Sequence, residues 1–505
     1  MNKQKETTVK CNCSTAIRIK GVILVSLVIL FASIAYGDED LKDRVAIGLQ
    51  RALEFYEKRQ YHGGWASAYS IDLTMQWGEW LPTYVNVVTI NDSGTTGIGL
   101  IFLKASQVLN EPRWLSIARK AADLLVAGQL PNGGFTQELQ ITPTDVRGVH
   151  QLSPYPSAPR PASRGVLENN TTDRAIELLL GMFDATAEHK YYDAARRAVD
   201  FLVLAQYPCG AFPQRYPPSN GYDRYYTLND GATTDSILRL ISFYRRTGES
   251  KYLDAARKGG DWLLIAVLPD PTPGWAEQYN EFNQPVKARS FEPPGAGTEI
   301  TLMVIEALTE LYLITGDMTY IAPVEKAWTW LKSLQNNSDG RCYRLYQIAS
   351  GRPIFVERKT GEVYHDIDKL PIDQRTRWYR GPFFRNHPAA PVSTLENWQR
   401  LNAWGRKGLL AQRLEKTGSL DIESGYDAFR IPALETQADC LALVQQVDAI
   451  LAEQHAKGWW RGERDGISTI KSRAFTLNTI RLLSYLQMSS SGHQISELDN
   501  SKHEK

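Results

Sequence analysis

Cysteine is nearly absent. Five occur in 505 residues, and the three beyond the first stretch, Cys209, Cys342 and Cys440, are far apart and odd in number. That excludes a disulfide framework and a spaced zinc site. Charge of one sign is lacking as well: 57 basic residues face 56 acidic ones, for a net charge of +1. Such a balance argues against nucleic acid as a partner. Histidine is scarce, and His62, His150, His189, His365, His387 and His455 form no spaced cluster. There is no Gly-x-Ser-x-Gly elbow, no phosphate-cradling loop and no His-Glu-x-x-His. Long apolar runs are lacking with one exception, Gly21 to Ala35. Lys3, Lys5, Lys10, Arg18 and Lys20 precede it, and Ala35-Tyr36-Gly37 closes it in a small-x-small pattern. The layout is that of a secretory signal peptide, and the run is short for a bilayer span. The expectation is a leader over 1–37, a secreted or periplasmic protein and no stable membrane insertion after cleavage. Without the leader's five basic residues and Glu6, the remainder is slightly acidic.

What is present in quantity is a repeat. A polar loop, an amphipathic helix, a short turn, a second amphipathic helix and a Gly-aromatic loop recur. One copy runs from Asn169-Asn170-Thr171-Thr172 through Lys190-Tyr191-Tyr192 to Gly210-Ala211-Phe212. Another runs from Asn229-Asp230-Gly231 through Thr247-Gly248 to Gly274-Trp275, and an earlier one from Asn91-Asp92-Ser93-Gly94 to Gly133-Gly134-Phe135. Gly63-Gly64-Trp65 is the first such loop. Within the copies apolar residues fall at helical spacing, as in Ile176, Leu179, Leu180 and Phe183. Helix pairs repeating in this way predict an all-α, toroid-like set of (α/α) hairpins, with polar loops gathered at one end and a small β element near 340–365. The expected division is a leader at 1–37, extra helical repeats at 38–114, a core at 115–387, C-terminal helices packing on it at 388–488 and a disordered tail at 489–505. The Pro/Ser/Arg stretch from Ile141 to Arg164 interrupts the pattern and reads as a long loop.

Two residue classes suggest chemistry. Glu168, Asn169 and Asp230 each stand just before a helix, where acids and amides serve as caps. The same oxygen donors suit Ca²⁺, although no EF-hand spacing is present. Arginine is the second class. Arg341 to Arg385 holds ten basic residues against five acidic ones. Arginine keeps its proton in almost any setting and grips carboxylates with a planar fork, which points to a carboxylate-bearing substrate. Arg289, in the loop before Glu292 and Glu299, is either an ion-pair partner or a base for a proton acidified by a prearranged site. The Gly-Trp and Gly-Phe loops either stack sugars or pack hairpin ends.

At these residues the chain resembles the pectate lyases of polysaccharide lyase family 10. Gln206-Tyr207-Pro208, Pro213-Gln214, Gly221-Tyr222 and Thr227-Leu228-Asn229-Asp230 match one block of motifs. Trp275, Gln278, Pro285, Ala288-Arg289 and Phe291-Glu292 match a second. Arg341, Tyr343, Arg352-Pro353-Ile354-Phe355, Arg358, Gly361, Arg375 and Trp378-Tyr379 match a third. The resemblance spans about 115–385. It implies cleavage of polygalacturonate, or a related acidic polysaccharide, by calcium-assisted β-elimination. It implies Arg289 as catalytic base and Glu168, Asn169 and Asp230 as Ca²⁺ ligands. Arg358, Arg375, Arg377, Trp275, Gln278 and Tyr222 would bind substrate. Three departures stand out. Glu168 replaces an Asp, Gly231 replaces the Asp after Asn-Asp, and Gly133-Gly134-Phe135-Thr136-Gln137 lacks the family's Lys.

In such a reaction the uronate C5–H, flanked by the carboxyl group, is removed by Arg289 while Arg358 and Arg375 hold the substrate carboxylates. The O4 leaving group then departs to form a 4,5-unsaturated product. Two other readings use the same residues. A helical-toroid glycoside hydrolase would need two opposed carboxylates, for which Glu292 and Asp230 are the candidates. A non-catalytic binder of acidic polysaccharide would use only the arginine-rich segment.

Overall fold

A computed structural model of the chain describes residues 40–150, 153–334, 342–375, 382–383, 437–464 and 467–490. They belong to two compact units. The smaller comprises Met1–Phe55, Pro432–Trp459 and Arg481–Lys505; the larger comprises Tyr56–Ile431 and Trp460–Ile480. The expected leader at 1–37 lies outside the described residues, as do Arg377, Arg341, Trp378 and Tyr379, all of 388–436 and the tail from 491. No helix among the described residues is long and apolar enough to cross a membrane.

Helix α1 covers 40–57. Four hairpins follow in the larger unit: α2 (Thr95–Leu109) with α3 (Pro112–Gly128), α4 (Thr171–Thr186) with α5 (His189–Ala205), α6 (Thr234–Thr247) with α7 (Ser250–Ile265), and α8 (Thr298–Thr315) with α9 (Ala322–Ser333). The first helices of the pairs pack in series, α2 on α4, α4 on α6 and α6 on α8. Their turns end as the sequence dictates: α6 and α8 stop at Gly248 and Gly316 in the left-handed conformation, where glycine carries no Cβ penalty. The second helices bury stripes of small residues, such as Ala118, Ala121 and Ala122 on α3 and Ala255, Ala256 and Gly259 on α7. A Cβ on Gly259 would stand 2.7 Å from Ile237 of α6, so the stripe sets the close approach of the pair. The expected boundary at 114/115 falls inside α3, because Pro112 starts a helix there and no linker intervenes.

One device joins successive pairs. Gln60, Gln129 and Gln206 each leave a helix end or the turn after one, and their side-chain amides donate to two carbonyls. One is the glycine of the following loop (Gly63, Gly133, Gly210); the other lies on the second helix of the next pair (Ile117, Ala194, Ala255). Those glycines sit at φ +92 to +109, pressed against the backbone carbonyls of Lys120, Arg197 and Lys258. In the smaller unit Gln454 does the same, donating to Gly48 and Gly458. The aromatic residue after each glycine turns inward: Trp65, Phe135, Phe212 and Trp275 are fully buried. The Gly-aromatic loops therefore pack hairpin ends and do not stack sugars. Threonines at the start of the first helices lock these loops in place, with Thr95 accepting from the Trp65 backbone N–H (3.1 Å) and Thr301 from that of Trp275 (3.2 Å).

The all-α expectation holds only in part: about half of the described residues are helical, and small antiparallel sheets join them. The β element near 340–365 is present, as Leu345–Tyr346, Pro353–Val356 and Val363–Tyr364 in a five-stranded sheet with Trp275–Ala276 and Ala296–Gly297. The stretch from Ile141 to Arg164 is not simply a loop. Glu138–Ile141, Val146–His150 and Arg160–Pro161 form a meander beside Val87–Thr89. A second five-stranded sheet joins Ala68–Ser70, Gln76–Trp77 and Pro82–Thr83 to the hairpin Arg461–Arg464 and Ile467–Lys471. Its last strand runs into α11 (Ser472–Ser490), while α10 (Gln437–Glu453) precedes the hairpin.

Candidate functional site

The polar loops before α2, α4, α6 and α8 converge on one cavity of about 530 Å³, together with the start of α11. Asn91, Asp92, Asn169, Asn170, Asn229, Asp230 and Glu299 line it. Three of these residues have left-handed backbones: Asn169 (φ 56), Asn170 (φ 55) and Asp230 (φ 50). Asn and Asp tolerate this conformation best, and such residues concentrate where function holds them. The Asn169 N–H donates to the Asp230 carbonyl at 3.2 Å, which ties the two loops together. Gly231 follows at φ +79, and a Cβ there would lie 1.9 Å from Asp235 Oδ2. The buried Asp235 carboxyl thus occupies the space into which a side chain at 231 would grow, which accounts for the departure at Gly231.

An acid–arginine cluster adjoins this floor. Arg289 holds Glu292 in a fork, Nε to Oε2 at 2.8 Å and Nη2 to Oε1 at 2.5 Å, and its Nη2 stands 3.7 Å from Asp230 Oδ2. The Asn229 amide donates to both Asp230 (3.0 Å) and Glu292 (3.3 Å). Behind them Arg344 donates to Glu277 at 2.5 Å. On the other flank Arg215 donates to Glu168 Oε1 at 3.2 Å and Gln137 at 3.0 Å. Burial, and then the charge of Glu168, push the Asp230 carboxyl up to about 7, despite Arg289 and Arg344. Burial favours loss of the Arg289 proton, but the hydrogen bonds and charge of Glu292, with Asp230 and Glu168, outweigh it and raise the pKa above the ordinary arginine value.

The structure brings most of the sequence-nominated residues together. Glu168, Asn169, Asp230 and Arg289 share the cluster. The guanidinium carbons of Arg289 and Arg358 both lie over the Phe291 ring, at 5.2 and 5.3 Å from its centroid. Tyr222 is partly exposed, and Glu168 and Arg289 act on its hydroxyl, whose pKa burial raises first. Three nominations fare differently. Trp275 is enclosed completely, with its indole N–H donating to the Leu263 carbonyl at 2.8 Å, so it is a core residue and not a substrate platform. Gln278 is buried in a strand pairing with Thr227, and its amide donates to the Val286 carbonyl (3.3 Å). Arg375 is engaged by its own loop, donating to the Asp368 carboxylate (2.8 Å) and to the carbonyls of Asp368 and Leu370.

Glu79, which the sequence gave no reason to single out, lines the same cavity from the turn between Gln76–Trp77 and Pro82–Thr83. Burial, and then Glu168, Asp230 and Glu138, push its carboxyl up to about 8. The Oε2 atoms of Glu79 and Glu168 are buried and have no hydrogen-bond partner. Carboxylate oxygens left without donors, beside amide oxygens, are hard ligands of the kind Ca²⁺ takes. Among the described residues no three acids, histidines or cysteines already surround one point. The donors therefore fit a hard cation in kind, and a ligand from substrate or water would have to complete its shell.

Fold and site together define a hairpin-repeat protein with a cavity of carboxylates, amides and basic side chains at the N-terminal ends of its first helices. Within that scaffold, residues 129–240 match the family model of pectic acid lyase, which bears out the resemblance to pectate lyases of polysaccharide lyase family 10. Among solved structures the chain is similar to a family 10 polysaccharide lyase from Cellvibrio cellulosa, at 22% identity over 58% of this chain and 96% of that chain, with a TM-score of 0.44. A mutant of a family 10 lyase from the same organism, in complex with trigalaturonic acid, aligns at 23% identity over 59% and 98%, with a TM-score of 0.42. A GH76 alpha-mannanase from Bacteroides thetaiotaomicron aligns at 10% identity over 88% and 96%, with a TM-score of 0.46. No curated protein matches by sequence.

Proposed function

We propose that the protein is a polysaccharide lyase, secreted or periplasmic, that cleaves polygalacturonate or a related uronate polymer by β-elimination. The observation that carries this reading is the Arg289 guanidinium fixed among Asp230, Glu292 and the Phe291 ring, with Arg358 over the same ring. Glu168, Asn169 and Asp230 would hold Ca²⁺, with the Glu79 carboxyl nearby. Bound there, Ca²⁺ would draw charge from a substrate carboxylate and acidify the adjacent C–H. Arg358 supplies a fixed cation for the same carboxylate. Arg289 takes the C5 proton. To accept it, the guanidinium must first release one of its own protons to solvent, against the Glu292 and Asp230 carboxylates that hold it. The O4 leaving group departs as the 4,5 double bond forms.

The glycoside-hydrolase alternative is less well supported. Glu292 and Asp230 share one guanidinium nitrogen, so they do not flank open space in which a glycosidic bond could sit. The test is ultraviolet absorbance of an unsaturated uronate product from polygalacturonate at alkaline pH, with Ca²⁺ and then with a chelator. A signal that the chelator abolishes is expected. Shorter polymer without new absorbance would establish hydrolysis, and binding without any change in polymer length would establish a binding protein.

A further inference from the structure

We propose that Lys471, Arg473 and Trp80 form an additional uronate subsite in the same cavity, supplied by segments outside the span that resembles pectate lyases. The proposal rests on the uronate-polymer reading above and extends it to a neighbouring sugar of the same chain. All three residues line the cavity that Asn169 and Asp230 floor. They are assembled by one sheet: Lys471 pairs with Ala68, and Trp77, on the next strand, pairs with Ala68 from the other side. Arg464 fixes the turn that carries Trp80, donating to the carbonyls of Gly78 (3.1 Å) and Glu79. Ser472, buried, donates from its N–H to Ser67 (3.2 Å) and from its hydroxyl to Ala66 (2.8 Å), which holds Lys471 and Arg473 at the start of α11.

The chemistry of this wall is that of an anion site with a sugar platform. Lys471 is half-buried and Arg473 exposed, and neither has a carboxylate within ion-pair distance among the described residues. Burial, then Arg464 and Arg473, lower the Lys471 pKa, Glu463 opposing them, so the like charges are crowded and not neutralised. Crowded cations lining a concavity attract a carboxylate. Trp80 is 57% exposed at the same rim, whereas Trp65 and Trp275 are fully buried. An exposed indole offers an apolar face to a sugar ring while its N–H stays wet. A polymer with one carboxylate per sugar, engaged at Asp230 and Arg289, presents its next carboxylates along the cavity towards this wall.

The test uses the full chain and galacturonate oligomers of increasing length. Cleavage by the wild type, Lys471→Ala/Arg473→Ala and Trp80→Ala is compared as kcat/KM, and binding by indole fluorescence at two salt concentrations. The expected result is a loss of about tenfold or more for the double variant on long oligomers, with the shortest cleavable oligomer unaffected. Wild-type binding of long oligomers should weaken with salt, and Trp80→Ala should lose the fluorescence response. Unchanged kcat/KM at all lengths, or an equal loss at all lengths, would overturn the subsite. If the double variant is less stable, Lys471→Gln/Arg473→Gln is read instead by the same length dependence. Should the wild type cleave no uronate polymer, the lyase reading fails by itself. Salt-sensitive oligomer binding that the double variant loses would still support the subsite, and its absence would overturn that too.

Discussion

Replacing Glu79 by Gln should stabilise the cation-free protein above neutral pH and weaken its response to Ca²⁺. The Glu79 carboxyl is pushed from an ordinary 4.5 to about 8, first by burial and then by Glu168, Asp230 and Glu138. A raised folded-state value means that the folded protein holds a proton which the unfolded chain has released. The stability from that proton is fully present below pH ~4.5 and is lost as pH rises through about 8. At ~1.4 kcal/mol per pH unit, the loss is about 3 kcal/mol by pH 7 and about 5 kcal/mol by pH 9, for Glu79 taken alone. Gln mimics the protonated acid and removes this slope. The assay is the thermal midpoint of wild type and Glu79→Gln between pH 5 and 9, first in chelator and then in excess Ca²⁺. The two proteins should melt nearly together near pH 5 and diverge progressively above it, with the variant higher. A cation at a hundred times its dissociation constant adds about 2.7 kcal/mol to a folded state that alone binds it. That gain should appear in the wild type, grow from pH 5 to pH 8, and shrink in the variant. A variant that is less stable at every pH, with an unaltered Ca²⁺ response, would refute the reasoning and leave Glu79 as a structural hydrogen-bonding group.

Other consequences are separable. If Arg289 accepts the C5 proton, its raised pKa requires kcat/KM to climb about tenfold per pH unit with no plateau up to about pH 10. A plateau near neutrality would assign the transfer to a carboxylate such as Asp230, which burial pushes up to about 7. Trp275→Phe removes a buried indole and its hydrogen bond to Leu263. It should lower stability by about 1–3 kcal/mol in calorimetry while KM stays unchanged; a KM effect without a stability loss would return Trp275 to the substrate. Gly210→Ala places a Cβ 2.0 Å from the Lys258 carbonyl at φ +109. It should cost more than about 2 kcal/mol through strain and displacement of α7, read as a lowered melting temperature.

Much of the scaffold was legible because its signals are local and repeated. Helical spacing, Gly at helix ends and Asn-Asp before the first helices recur often enough to reveal hairpins with polar loops at one end. The short strands were not legible. Pairs such as Trp275–Ala276 with Ala296–Gly297 are two residues long, too short for alternation to register. They exist because the loops between helices must satisfy their backbone groups against each other. The Gly-aromatic loops misled for a related reason. A tryptophan after glycine looks the same in sequence whether it faces a ligand or fills the end of a hairpin. Only the contact of Gly63, Gly133 and Gly210 with the next helix backbone decides for burial.

The site divides along the same line. Glu168, Asn169, Asp230 and Arg289, which the structure brings into one cluster, can be nominated from sequence because each sits in a motif of ordered neighbours. Arg375 sits in such a motif too, yet Asp368, seven residues earlier, holds it. A charge run identifies the chemistry available, and local partners decide which of its members are already engaged. Glu79, Lys471 and Arg473 belong to no motif, and they meet the cavity through a sheet whose strands lie almost 400 residues apart in the chain. An acidic cavity lined by Glu79, Asp92, Asp230 and Glu299 would repel a uronate chain if those carboxylates faced it alone. On the proposed reading, bases brought in from the distant hairpin, with a cation between the acids, would convert the same cavity into one whose charges alternate along a bound polyuronate. The segments without family motifs would then complete the electrostatics that the motif-bearing segment leaves open, and length-dependent cleavage by the Lys471 and Arg473 variants measures that proposed division of labour.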